Sequence, residues 1–358
     1  FRWAALCILA VGAVSTSVCA VAATVGAHAQ LEIYFIDVEG GQSTLVVTPD
    51  RHSLLIDTGF AGDGSGFRPG DPAKARDANR IVAAARDAGI DRIDYLLITH
   101  FHTDHDGGVT ELSRLLPIRT FVDHEAPSAE AVSTSPETRE AFAAYQTVRG
   151  ANQHITPKPG DRLPLQDAEV TVVSSAGATL PRPMSEAGTR NAACSDHAME
   201  PRDQYENPRS TGVVIRYGRF RFLDVGDLTG PPLFKLACPA DLVGPVDAYL
   251  VAHHGGPDTM IGETFGAFKP RVAIMNNGQT KGGALETYQA LHHVPGLEDV
   301  WQLHAASVAA DSNFPPQYIA NLDESTASWI KLIASADGSF RVLNQRTGQW
   351  KHYPPRAP

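Results

Sequence analysis

The sequence predicts an α/β fold in which two sheets are covered by helices. Three observations carry that expectation: runs of strand length joined by turn signals come first, alternating strand and helix patterns follow, and the second half repeats the order. In the first half, residues 31–38 read as a strand, Gly40 and Gly41 as a turn, and residues 43–48 as the hairpin partner. Residues 53–57 form a third strand closed by Thr58 and Gly59. Asp71 and Pro72 open a helix whose apolar Ile81, Val82 and Ala85 share a face, and Gly89 ends it. Residues 93–99 are nearly all apolar, as in a strand buried on both faces, and they deliver His100 at their end.

Gly107 and Gly108 lead into a helix over residues 109–116, and residues 120–123 form the next strand. A helix starting at Ser135 and Pro136 precedes a strand over residues 170–174. Residues 176–209 are polar and long for a connection, which marks an inserted loop. Residues 211–217 and 219–225 form a hairpin around Gly218 that ends in Gly226 and Asp227. Residues 246–252 are a buried strand that delivers His253 and His254, and strand, helix and strand follow over 272–275, 286–293 and 299–303. A hairpin over 326–345 turns at Asp337 and Gly338.

The 358 residues are 43% hydrophobic and 20% charged, an ordinary globular balance with material for a large core. Net charge is -10 with no run of Lys or Arg, so no constitutive nucleic-acid partner is expected. A small-molecule substrate is expected instead, and the acidic balance does not exclude a nucleotide or phosphodiester held by metal. At the start, Arg2 precedes an apolar run from Trp3 to about Val25 and then Ala27, His28 and Ala29, a small-x-small pattern. Residues 1–29 therefore read as a signal peptide and 30–358 as one catalytic-sized domain, periplasmic or secreted, with no membrane span after cleavage. An uncleaved membrane anchor is the competing reading. Outside the leader only Cys194 and Cys238 remain, either paired in an oxidising compartment or buried as thiols.

The chemistry concentrates at three strand ends. His100, His102, Asp104 and His105 fall within six positions and are followed by two glycines. Three imidazoles and a carboxylate in so tight a loop suit one or two divalent ions. Asp227 and the His253–His254 pair stand at two further strand ends, where open α/β sheets gather their sites.

This His-x-His-x-Asp-His pattern with a later Asp and a final His resembles the metallo-β-lactamase superfamily. The resemblance implies a four-layer αββα sandwich. Residues 35–42, 55–59 and 253–255 look more narrowly like the hydrolase domain of DNA-uptake competence channel proteins (ComEC-like) and choline-phosphate esterases. It also implies that His100 and His102 bind one metal, that Asp104 and His105 bind the other, that Asp227 bridges them, and that His253 completes the second position with His254 as the alternative. Asp57 would orient the His loop through hydrogen bonds. Two Zn²⁺ are expected, with Mn²⁺ or Fe as other occupants.

Many superfamily members give the first metal a third His, and residues 206–211 contain none. Asn207, water, or His197 from the inserted loop would complete it. The resulting expectation is a metallohydrolase that uses metal-activated water on a phosphodiester or phosphorylated small molecule. Asp104 or Asp227 would hold the water and move its proton. His124 and His304, at further strand ends, are candidate donors to the leaving group. A β-lactamase or lactonase is the alternative chemistry, and a non-catalytic binding protein is the alternative of another class. Trp301, Phe60 and Phe67 are candidate pocket aromatics.

Overall fold

The computed structural model describes residue 1, residues 30–150 and residues 152–357, so the leader expected over 1–29 lies, beyond its first residue, outside the described residues. Among the described residues no helix is long and apolar enough to cross a membrane.

The first half lays down β1 (Leu31–Phe35), β2 (Thr44–Val47), β3 (Ser53–Ile56), β4 (Ile93–Leu97), β5 (Ile118–Val122) and β6 (Gln153–Ile155). β1 to β3 are antiparallel, and β3 to β6 continue in parallel. The second half follows the same plan. β7 (Arg162–Leu163), β8 (Glu169–Ser175), β9 (Ala178–Thr179), β10 (Gly212–Tyr217) and β11 (Phe220–Asp224) pair antiparallel. β12 (Ala248–Leu250), β13 (Val272–Met275), β14 (Asp299–His304) and β15 (Ile319–Asn321) extend that sheet in parallel from β11.

The chain then returns to the first sheet through β16 (Ile330–Ala334), β17 (Phe340–Asn344) and β18 (Gln349–Tyr353), with β16 antiparallel to β1. The hairpin expected over 326–345 is thus the inner part of a three-stranded extension. β18 escaped the sequence reading because Tyr353 is its one buried residue, which leaves no apolar alternation to detect.

Each central strand is buried on both faces, which explains the continuous apolar runs. Ile33 and Phe35 of β1 point into a core shared with Phe222 of β11 and Leu250 of β12, while Tyr34 and Leu45 face the helices. Phe35 and Phe222 meet edge to face across the two sheets with ring centroids 5.6 Å apart. α1 (Arg76–Asp87), α2 (Val109–Leu115) and α4 (Pro136–Arg149) cover the first sheet, and the shorter α3 (Ala129–Thr134) precedes α4. α5 (Gly230–Ala237), α6 (Ile261–Phe268) and α7 (Leu285–Leu291) cover the second. The result is four layers, α, β, β and α. The helix expected from Asp71 begins instead as a short 3₁₀ turn capped by the Asp71 side chain, and α1 proper starts at Arg76 because Ala75 is extended.

The stretch 176–209 contains β9 and one 3₁₀ turn, Asn207–Arg209. A disulfide joins Cys194 to Cys238 and so ties this stretch to the end of α5. The Asp241 carboxylate adds to the tether by accepting from the backbone N–H groups of Gly188 and Thr189.

Candidate metal centre

The loops after β3, β4, β11 and β12 converge at one edge of the sandwich. The loop after β4 turns back on itself, with the His105 and Asp106 N–H groups donating to the His102 carbonyl. Gly107 and Gly108 are required there because a Cβ would lie 2.1 Å from the Thr103 oxygen or 2.3 Å from the Thr58 oxygen. Asp57, fully buried after β3, holds this loop. Its Oδ1 accepts from the Thr99 N–H at 2.7 Å, and its Oδ2 accepts from the Thr99 hydroxyl at 2.7 Å and from His105 Nδ1 at 2.6 Å. A proton fixed on Nδ1 leaves the His105 Nε2 lone pair free for a metal.

That Nε2 lies 3.5 Å from Asp104 Oδ2, 3.3 Å from Asp227 Oδ2 and 3.2 Å from His254 Nε2. His254 Nε2 is in turn 3.2 Å from Asp104 Oδ2 and 3.1 Å from Asp227 Oδ2. These separations are close to ~3.3 Å, the edge of a tetrahedron built on metal–ligand bonds of 2.0–2.1 Å. A second pair stands beside them. His100 Nε2 is 3.0 Å from His102 Nδ1 and 3.9 Å from Asp227 Oδ2, so Asp227 lies between the two groups.

The charges fit a cation. Burial alone would raise the Asp104 carboxyl, but the Lys281 ammonium with His105 and His254 holds it well below the usual range. Asp227 is likewise buried and is held low by His254 and His105. His105 goes the other way: burial lowers it, and the Asp227, Asp104 and Asp57 charges raise it well above an ordinary imidazole. His100, buried beside His105 and His102, is pushed well down. Asp227 Oδ1 is buried with no hydrogen-bond partner among the described residues, an acceptor that a cation would satisfy. The donor set of imidazole and carboxylate, without thiolate, fits zinc, iron or manganese.

The four-atom cluster takes His254, whereas the sequence reading placed His253 there with His254 as the alternative. The reason is backbone geometry. His253 and His254 both adopt left-handed conformations, with φ of 50° and 52°, so their side chains part, and His254 turns to His105 while His253 turns to Asn207. His253 Nδ1 donates to Asp258 Oδ1 at 2.6 Å, and its Nε2 lies 3.2 Å from Asn207 Nδ2. Asn207 is buried and lines the pocket. His197 is exposed and does not reach the pocket, because the disulfide holds its part of the loop against α5.

His124 and His304 are also displaced from their expected roles. Each is fully buried and turned to a carboxylate, His124 to Glu206 at 3.0 Å and His304 to Asp37 at 2.7 Å, and neither lines the pocket. Trp301 is buried in the core, and Phe60 and Phe67 stay outside the pocket wall, Phe60 lying under the Lys281 ammonium.

The pocket itself is a cavity of about 650 Å³ over His102, Asp104, Asp227, His253 and His254. Sequence reasoning missed several polar groups of its wall, among them Asp203, Arg202, Lys281 and Glu286, and Asp258 behind it. Asp203 Oδ2 lies 3.7 Å from His102 Nε2, and Arg202 projects from the same inserted loop. Lys281, in the loop after β13, pairs with Asp104 and donates to the Gly40 carbonyl. Asp258 backs His253. A Lys followed by two glycines after a strand end, and an Asp four residues beyond the histidine pair, were the available signals. Leu285 and Val308 add an exposed apolar wall.

Residues 36–173 match the sequence family described as the metallo-beta-lactamase superfamily. The fold is that of the metallo-β-lactamase superfamily. Among solved structures with this fold, the metallo-β-lactamase-fold protein YhfI of Bacillus subtilis is 10% identical, with 77% of this chain and 96% of that chain covered and a TM-score of 0.45. Tm1679, described as a metal-dependent hydrolase of the β-lactamase superfamily, is 15% identical over 77% and 97%, with a TM-score of 0.42. The diiron β-hydroxylase CmlA of Streptomyces venezuelae is 17% identical over 76% of this chain and 48% of its own, with a TM-score of 0.37. No curated protein matches the chain in sequence.

Proposed function

We propose that the protein is a metal-dependent hydrolase of a phosphodiester or phosphorylated small molecule, working in an oxidising compartment outside the cytoplasm. The observation that carries the reading is the convergence of Asp104, His105, Asp227 and His254, whose donor atoms all lie within 4.8 Å of one another beneath an open pocket. His100, His102, Asp104, His105, Asp227 and His254 would hold divalent metal, zinc in this reading. Bound there, it would lower the pKa of a water and polarise the substrate. The ionised Asp104 and Asp227 carboxylates are the groups at hand to take the proton that water gives up. Lys281 and Arg202 bring positive charge to a pocket whose wall also holds Asp203 and Glu286, and together with bound metal they would favour an anionic substrate. Leu285 and Val308 would shield the reacting centre from bulk water.

The narrower likeness of residues 35–42, 55–59 and 253–255 to competence-channel and choline-phosphate esterase domains favours phosphorus over an acyl carbon. The Cys194–Cys238 disulfide supports export, in line with the apolar leader. The test is turnover of bis-p-nitrophenyl phosphate, a lactone and a cephalosporin by the purified protein, with His102→Ala and Asp227→Ala as controls. Phosphodiester cleavage lost in both variants supports the proposal. Preference for the lactone or cephalosporin would replace it with acyl chemistry, and no variant-sensitive turnover would point to a binding protein.

A further inference from the structure

Two histidines at this edge of the sandwich are prepared in the same way. His105 Nδ1 is 2.6 Å from Asp57 Oδ2, and His253 Nδ1 is 2.6 Å from Asp258 Oδ1. In each pair the carboxylate claims the proton on Nδ1 and turns the Nε2 lone pair toward the site. For His105 that lone pair faces Asp104, Asp227 and His254. For His253 it faces Asn207 Nδ2 at 3.2 Å and Asp227 Oδ2 at 4.0 Å. His100 Nε2 stands at nearly the same distance, 3.9 Å, from that Asp227 oxygen.

Resting on the metallohydrolase reading, we infer that His253 is a metal ligand, the group that completes the first position beside His100 and His102 where residues 206–211 provide no histidine. Consecutive left-handed residues send the two neighbouring side chains to different positions, His254 to the second and His253 to the first. Asp258 is a positioning residue. Only 2% exposed, it holds His253 with one oxygen and accepts the Arg202 N–H with the other at 3.0 Å, so the inserted loop and the ligand are set by one carboxylate. The Asn207 N–H that now faces the His253 lone pair would give way to the ion. Asn207 Oδ1, buried without a hydrogen-bond partner among the described residues, is the amide's acceptor end and lies at the same place.

The test is cobalt(II) titration of the chelator-stripped full chain, followed by the visible absorption of the bound ion and by elemental analysis, with no activity needed. Wild type, His253→Asn, Asp258→Asn and His254→Asn are compared, Asn being chosen at 253 and 254 because it tolerates left-handed backbone. Melting curves of the stripped proteins check folding. The expected result is two cobalt per wild-type chain. His253→Asn keeps one tight ion and binds the other at least 100-fold more weakly, and Asp258→Asn weakens that same ion 10–100-fold, the range for loss of a carboxylate behind a ligand. His254→Asn loses the other ion, with a different spectrum. Two ions of unchanged affinity and spectrum in a folded His253→Asn would overturn the inference while leaving the metallohydrolase reading intact. A wild-type chain that takes up no metal overturns both.

Discussion

Asp57 Oδ2 lies 2.6 Å from His105 Nδ1 with both side chains fully buried, so one carboxylate fixes the orientation of an imidazole whose other nitrogen meets Asp104, Asp227 and His254. The same Asp57 holds Thr99 through two hydrogen bonds and thereby sets the direction in which the chain leaves β4. Asp57→Ala should weaken metal binding about 10–100-fold without removing a ligand. Competition with a chromophoric chelator measures it, and unchanged affinity would show that the loop is self-supporting.

Lys281 reaches Asp104 from a different loop and lines the pocket beside it. With a metal bound to Asp104, the Lys281 ammonium would be free for the substrate. Lys281→Met should raise KM for a phosphodiester about tenfold, about 1.4 kcal/mol of binding, with a much smaller change in KM for a neutral ester. Steady-state kinetics on the two substrates decides it, and equal effects on both would assign Lys281 to holding the loop.

Asp224 carries a pH signature. Its carboxyl is completely buried between the Gln42 amide and the Gly226 N–H, and burial, reinforced by the nearby Asp57 charge, pushes it from 3.8 up to about 7. The raised value means the folded state favours the neutral acid. Its contribution to stability is therefore full below about pH 4 and is lost as pH rises to about 7, a change of the order of a few kcal/mol. Urea midpoints of the chelated wild type and Asp224→Asn, taken from pH 4 to 8, should show the difference moving in favour of the variant as pH rises. A pH-independent difference would contradict the assignment.

The Cys194–Cys238 disulfide closes a loop with a sequence separation of 44 that carries Arg202, Asp203 and Asn207 into the pocket. Cys194→Ser with Cys238→Ser should lower stability by about 2–4 kcal/mol. It should also raise KM, because the tether keeps the inserted loop over the site. Thermal melting and kinetics on the double variant test both, and an unaltered KM would mean that the Asp241 contacts hold the loop unaided.

The architecture was legible because the physics is local. Residues 93–97 are buried on both faces and mostly apolar, Asp94 excepted, and a run of that kind followed by His100, His102, Asp104 and His105 announces both a central strand and what it carries. The two-sheet order followed from the repeated pattern, whereas β18 did not, since nearly all of it is exposed or half-buried. Within the site, Asp57 could be read because it ends a strand, but the choice between His253 and His254 depends on two positive φ angles that no residue type signals. The displacement of His124 and His304 has a similar cause. Glu206 and Asp37, distant in sequence, bury beside them, Glu206 3.0 Å from His124 Nε2 and Asp37 2.7 Å from His304 Nε2. Lys281, Asp203 and Asp258 lie in polar loops where a single charged residue looks like any solvated one.

The most direct test of the account is reversible metal dependence of phosphodiester cleavage. Bis-p-nitrophenyl phosphate turnover by the purified chain is measured before chelation, after it, and after zinc is restored in stoichiometric steps. The account predicts activity lost with the metal and recovered as two ions return, with no recovery in Asp227→Ala. Turnover that survives complete removal of metal would contradict it.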